Sequence, residues 1–295
     1  MAESNVILTA ALRSPVLRDQ RSIGAVLVDA GRLKIQDAEA ILRLQREKNL
    51  RFGDAAIQLG LLTQADIDYA LSLQFQYPFL SPGQSAVSEE IMAAYAPSHP
   101  RIEALRTLRS QLILRWFDTG PENRALAIVS AERGEGRSFI AANLAVVFAQ
   151  LGERTLLVDA DLRNPRQHTL FGVDGRTGLS TVLAERAGLE AVQSVPALPN
   201  LSIFPAGPVA PNPVELLARP LLPQLLQQLA QKFDVILLDS SASTGTSDAQ
   251  IVAVRAGAAL IVVRRNAARS WRVHGVSTQV AEARATIVGA VLNSY

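Results

Sequence analysis

The feature that most limits the fold of this chain is a series of short, unbroken apolar runs separated by helix-length segments. Ala125–Ser130, Thr155–Asp159, Leu201–Pro205, Val235–Asp239, Ala258–Arg264 and Ile287–Leu292 are such runs. Ser138–Leu151, Val214–Lys232, Asp248–Ala256 and Trp271–Ala283 lie between several of them at helix length. A strand that is apolar at every position offers no face to water, so both of its faces must be covered. Such strands alternating with helices predict an α/β fold, a mostly parallel sheet with helices on both faces.

Upstream of Arg101 the pattern is different. Shifting the sequence by 29 places lays Gly24 on Gly53, Gly31 on Gly60, Leu33 on Leu62, Asp37 on Asp66, Leu42 on Leu71 and Gln45 on Gln74. A repeat of this kind is one supersecondary unit used twice, because a single unit cannot bury its own apolar face. Each copy reads as a short helical turn, a Gly turn and an amphipathic helix, and Thr63 with Asp66 opens the second long helix as a capping box. The expectation is a small, mostly helical domain over 14–76. Pro78, Pro82, Pro97, Pro100, Gly83 and several serines predict a linker over 77–100 with one short helix near Glu89–Ala94. The α/β domain then occupies 101–295, and two domains suit a chain of 295 residues.

Composition removes several function classes. Lys+Arg 29 against Asp+Glu 27 leaves a net charge of +2, too even for a nucleic-acid binder. The chain has 0 cysteines, which excludes a disulfide scaffold, a thiolate metal site and a Cys nucleophile, and fits a reducing cytoplasm. No basic region precedes the first short apolar run and no run approaches the ~20 apolar residues of a membrane helix. Any membrane association is therefore expected to come through a partner. His99, His168 and His274 show no metal spacing, and Trp116 and Trp271 sit on helical patterns and are expected to pack inside.

The chemistry is concentrated after the first apolar run. Ala125–Ser130 leads into AERGEGRS, Ala131 to Ser138, and then into a helix closed by Gly152. A Gly-bearing loop between strand and helix points backbone N–H groups at an anion, and the helix dipole adds to them. Gly134 and Gly136 allow phosphate oxygens to approach, and Ser138 can offer its hydroxyl to Mg²⁺. Against the G-x-x-x-x-G-K-[ST] template, Ala131 stands for the first Gly and Arg137 for the Lys. Asp159 and Asp161 end one apolar run and Asp239 ends another. In a parallel sheet, acids at the C-terminal ends of neighbouring strands converge on the ligand crevice, where they suit Mg²⁺ and an attacking hydroxyl. The competing reading makes them helix caps only.

The loop, followed by VDADLRNP from Val158 and FDVILLDSS from Phe233, resembles the nucleotide motifs of the bacterial tyrosine kinases of exopolysaccharide export, a MinD-like branch of the P-loop ATPases. The stretches from Phe204 to Leu217 and from Gly289 to Asn293 are similar to further segments of that family, and the resemblance covers about 100–295. It comes nearest to the stand-alone, EpsG-like subunits. It implies an ATP-dependent protein-tyrosine autokinase in the cytoplasm, working with a membrane polysaccharide copolymerase that controls chain length. It implies that Gly134, Glu135, Gly136, Arg137, Ser138 and Phe139 hold ATP, with Asn293 near the adenine. Ser138, Asp161 and Asp239 would hold Mg²⁺, Asp159 would act as base toward a tyrosine hydroxyl, and Arg137 would assist transfer. Glu103, Arg106 and Arg109 match the family's E-x-x-R-x-x-R motif, which implies the subunit interface of a homo-oligomeric ring; a solvated helix face is the alternative. Two features depart from the pattern. Arg137 spreads its charge over a planar fork, so binding is expected to survive better than phosphoryl transfer. Only Tyr295, of four tyrosines, stands where the family carries a tyrosine cluster as its own substrate. The second reading is accordingly a nucleotide-gated, non-catalytic assembly switch on the membrane partner.

The repeat resembles the MshEN-type N-terminal domain of secretion and pilus ATPases, some of which bind cyclic di-GMP. The resemblance implies a site made by Gly24, Gly31, Gln45, Arg51, Gly53, Gly60 and Gln74. Ser22 stands where the first unit would carry its arginine. Protein docking is the alternative, with the glycines serving turns and the glutamines helix ends.

Overall fold

A computed structural model describes residues 22–74 and 79–294, the side chains of Ser72, Leu73 and Gln74 excepted. Tyr295 and the residues before Ser22 lie outside the described residues. The chain divides into two units, Met1–Ser81 and Pro82–Tyr295.

The first unit carries α1 (Ile23–Asp29), α2 (Ile35–Lys48), α3 (Phe52–Gln58) and α4 (Gln64–Gln74). The repeat is visible in the backbone. Gly31 and Gly60 turn the chain between the short and the long helix of each copy with φ of 69° and 66°, left-handed values that cost a side chain about 1–2 kcal/mol. Equivalent positions also fill one shared core, of which Leu33 and Leu62, and Ile41 and Ala70, are all buried members. At the start of α4, Thr63 N–H donates to Asp66 Oδ2 at 3.0 Å while Asp66 N–H donates to Thr63 Oγ1 at 3.3 Å, the reciprocal capping box expected from the sequence.

The second unit is built on a 7-stranded sheet of order β3-β4-β2-β5-β1-β6-β7. The strands are β1 (Ala125–Ser130), β2 (Thr155–Asp159), β3 (Gln193–Ser194), β4 (Leu201–Phe204), β5 (Val235–Asp239), β6 (Ala258–Arg264) and β7 (Thr286–Asn293). All pairs are parallel except β3 with β4. β1, β2 and β5 are buried at every residue, which is why the sequence shows no alternation there. The helices are α5 (Met92–Tyr95), α6 (Pro100–Leu112), α7 (Arg137–Gln150), α8 (Gln167–Phe171), α9 (Leu179–Leu183), α10 (Pro213–Ala218), α11 (Leu221–Ala230), α12 (Asp248–Ala256) and α13 (Ser270–Glu282). The central one is α7, buried without interruption from Ile140 to Ala149; it carries the loop that precedes it into the heart of the unit.

Three expectations are corrected. Residues 82–100 belong to the second unit and are not a linker. Asn143 of α7 accepts Ala93 N–H at 2.8 Å, and Ser88 N–H donates to the Leu170 carbonyl at 2.8 Å. The helix expected over Val214–Lys232 is two, because Arg219 precedes Pro220 and takes an extended ψ of 143°, as a residue before proline prefers. Trp271 is 64% exposed and does not pack inside, whereas Trp116 donates its indole N–H to the Ala125 carbonyl at 2.9 Å.

Candidate functional site

Strand order brings the acids to the loop. β5 lies between β1 and β2, with Asp159 and Asp239 in register at their C-terminal ends and the Ala131–Gly136 loop leaving β1 alongside. This is the crevice in which open α/β sheets take ligands. Gly134 and Gly136 have φ of 78° and 89°, a conformation that leaves the loop free of strain only with glycine. Around it lies a cavity of about 400 Å³ lined by Gly134, Glu135, Gly136, Arg137, Ser138, Phe139, Asp161 and Asn293. Every cofactor-binding residue expected from the sequence thus lines this one cavity. Asn293, at the end of β7, donates from Nδ2 to the Glu135 carbonyl at 3.0 Å, fixing the loop against the sheet. Glu135 itself is buried, and burial pushes its carboxyl above the usual range; its Oε2 accepts Glu132 N–H at 2.8 Å.

The centre of the site is Arg137. Its guanidinium donates to Ser130 Oγ at 2.7 Å, to Asp161 Oδ2 at 3.1 Å and to Asp239 Oδ1 at 3.3 Å. The remaining acid oxygens are taken as well. Asp239 Oδ2 accepts from Gln167 Nε2 at 2.7 Å. Asp161 Oδ1 accepts the backbone N–H groups of Arg163 at 3.2 Å and Asn164 at 3.0 Å. Asp239 is fully buried, and burial raises its pKa against the opposing charge of Arg137.

Asp159 departs from its expected place. It is fully buried and does not line the cavity. Its Oδ2 accepts Arg166 N–H at 2.8 Å and Gln167 N–H at 2.9 Å, and its Oδ1 accepts Asp161 N–H at 3.3 Å. Burial, then the charge of Asp239, holds its pKa well above the ordinary carboxylate range. Of the first acid pair it is Asp161 that reaches the cavity, and Asp159 shapes the turn beneath it.

Of the motif on α6, Arg106 pairs with Glu103 at 3.0 Å, while Arg109 donates to the Val147 carbonyl at 2.8 Å across to α7. The motif therefore does not present one uniform charged face. In the first unit, Gly24 and Gly53 sit where an added Cβ would meet Phe52 at 3.0 Å and Ile67 at 3.2 Å. Gly31 and Gly60 are the turn residues described above, Arg51 precedes α3 with an exposed side chain, Gln45 is half-buried, and Gln74 ends α4.

Several contributors escaped the sequence reading. Gln167 bridges Asp239 and the Ser138 carbonyl. Arg163 grips buried Asp248 at 2.6 and 3.2 Å, tying the turn after β2 to the start of α12. Glu90, Arg101 and Arg166 line the cavity, with Arg166 paired to Glu90. Arg163 and Arg166 stand inside the acid motif and could have been weighed with it; Glu90 lay in the segment read as a linker.

The donor set fits Mg²⁺. It is all oxygen, with Asp161, Asp239 and a Ser138 hydroxyl in hydrogen-bond reach of Asp239, and the guanidinium between the two acids marks a point where a cation is favoured.

A ParA family model, described as a NUBPL iron-transfer P-loop NTPase, matches residues 122–294. The tyrosine-protein kinase YwqD of Bacillus subtilis is 31% identical over 209 residues, covering 71% of this chain and 87% of that protein. The kinase domain of the Escherichia coli tyrosine kinase ETK superposes with a TM-score of 0.66 at 32% identity, over 69% of this chain and 79% of that one. The septum site-determining protein MinD of Pyrococcus horikoshii, complexed with Mg-ADP, follows with a TM-score of 0.51 at 31% identity, over 58% and 70%. Other matching tyrosine-protein kinases are much longer, and the chain spans 28% of one and 24% of another.

Proposed function

The chain belongs to the ParA-like P-loop NTPases and, within them, to the bacterial tyrosine kinases, and on that premise we propose that it is an ATP-dependent protein-tyrosine autokinase. The observation that carries the reading is a phosphate loop and Asp161 lining one cavity, with Asp239 at the end of β5 bonded to the Arg137 of that lining. The loop N–H groups and the N-terminus of α7 bind the polyphosphate, and Arg137 pairs with its β/γ oxygens. Asn293 lies toward the base. Ser138, Asp161 and Asp239 would hold Mg²⁺, which would neutralise charge on the phosphates. A tyrosine oxygen attacks the γ-phosphorus, the bond to the bridging oxygen of ADP breaks, and the phenol proton passes to a carboxylate. The family pattern gives that proton to Asp159, which is fully buried and off the cavity lining. Tyr295 is the substrate in the tail.

Following the family reading, we assign the chain to exopolysaccharide chain-length control as an EpsG-like subunit at the cytoplasmic face of the inner membrane. Its partners are a membrane polysaccharide copolymerase and further copies of itself in a ring. The described residues contain no helix long and apolar enough to cross a membrane. The first unit is proposed as an MshEN-like sensor of cyclic di-GMP, supported by the 29-residue repeat and the exposed Arg51. Heat on titrating the full chain with cyclic di-GMP supports this; silence at high micromolar ligand retires it.

The hold of Arg137 on Asp161 and Asp239 favours a second reading, in which the protein is a nucleotide-gated switch without transfer activity. Anti-phosphotyrosine blotting of the wild type beside Tyr295→Phe, with ATP and Mg²⁺, separates the two. Signal lost in Tyr295→Phe establishes the kinase; nucleotide retention with no signal in either establishes the switch; failure to retain adenine nucleotides defeats both.

A further inference from the structure

We propose that Arg137 is the specificity-determining residue for cation entry: its guanidinium occupies the acid pair as a resident counter-ion, so a divalent metal is admitted only after a polyphosphate has drawn the arginine away. The inference rests on the nucleotide-site reading above and adds the order in which that site fills.

The argument is a tally of oxygens. Asp239 and Asp161 have four carboxylate oxygens between them. Gln167 holds one of them, Asp239 Oδ2, at 2.7 Å. The backbone of Arg163 and Asn164 holds Asp161 Oδ1. The other two, Asp161 Oδ2 and Asp239 Oδ1, are both bonded by one guanidinium. A cation that needs both acids must therefore take the position of the Arg137 head. That head is buried at 8% exposure and is further held by Ser130 Oγ at 2.7 Å. Ser130 ends β1, so the arginine's third anchor is a hydroxyl on the rigid strand from which the loop departs.

The chemistry of the head sets the consequence. A lysine ammonium is one point charge and could turn from acid to phosphate with a small rotation. A guanidinium matches two oxygens at once, and two carboxylates hold it as a fork. A hydrated Mg²⁺ must shed water to compete for that place, and it does so reluctantly. A polyphosphate on the loop supplies the same guanidinium with a second pair of oxygens, and only then are the two acid oxygens released.

The test uses Mn²⁺ as the probe, with its free-ion electron paramagnetic resonance signal read during titration into the full chain without nucleotide. Wild type is compared with Arg137→Gln, and with Arg137→Lys in case the neutral variant fails to fold; a thermal melt checks each. Mn²⁺ affinity is expected to rise by about tenfold or more in Arg137→Gln, where the charged contacts are lost, and by less in Arg137→Lys, where one point charge stays beside the acids. Equal affinities in the wild type and in the folded variants overturn the proposal. A parallel titration of a fluorescent ADP analogue keeps the readings separate. If wild type takes no analogue, the nucleotide reading fails, while the Mn²⁺ comparison still decides whether the arginine excludes the metal.

Discussion

Replacing Gln167 with glutamate should make the stability of the second unit steeply dependent on pH. Gln167 is fully buried, and its amide donates to Asp239 Oδ2 at 2.7 Å and to the Ser138 carbonyl at 3.2 Å. An ionised carboxyl there would place negative charge against negative charge away from water. A protonated one can still donate to Asp239, so its folded pKa lies above the unfolded reference of about 4.3. With the folded pKa raised, the folded state holds the proton longer. Stability then falls as pH climbs from the reference value to the folded value, and is level above it. The slope is about 1.4 kcal/mol per pH unit, and a shift of about 2–3 units for a buried acid beside a like charge amounts to about 3–4 kcal/mol. Gln167→Met removes the same donors without adding charge and should cost about 1–3 kcal/mol with a shallower pH dependence. Both tryptophans, Trp116 and Trp271, lie in the second unit, so urea unfolding followed by tryptophan fluorescence reads that unit alone. Parallel stability–pH curves for Gln167→Glu and wild type between about pH 5 and 8 would refute the reasoning.

Other variants probe the neighbouring contacts. Asp159→Asn should flatten the wild-type decline in stability with rising pH, because the raised pKa of Asp159 makes the folded state the proton-rich one. It should cost about 1–3 kcal/mol for a backbone N–H left without its acceptor, and it should reduce ADP-analogue affinity less than Asp161→Asn does. Arg163→Lys replaces a two-point grip on buried Asp248 with a single contact and should lose about 1–2 kcal/mol in the same urea assay. Gly136→Ala, at φ 89°, should cost about 1–2 kcal/mol and weaken analogue binding; unchanged affinity would show that the loop conformation is not what binds.

The parts of this molecule that were legible in its sequence are those in which each residue carries its own burial signal. β1, β2 and β5 are apolar at consecutive positions because helices cover both faces of the sheet, and the acids show as the points where those runs stop. The repeat was legible for a similar reason: Gly31 and Gly60 serve the same left-handed turn 29 residues apart. The break at Pro220 was a local signal passed over in favour of the longer apolar period. The assignments that failed depend on residues far away in sequence. Residues 82–100 have the composition of a linker, yet Asn143 reaches back from α7 to hold Ala93. Prolines and serines record the lack of long elements, not the lack of a partner.

The acid pair shows the same division most sharply. Asp159 and Asp161 are one residue type two places apart, and nothing local distinguishes a base from a support. The difference is made by the chain returning at Arg166 and Gln167, whose N–H groups claim the Asp159 carboxyl for the start of α8 and leave Asp161 the wall of the cavity. Arg137 follows the same rule. The loop template fixes where its backbone stands, but residues 24 and 102 places away decide where its charge rests. A motif therefore locates a charge, and the partners it finds across the sheet determine whether that charge meets ligand or protein first.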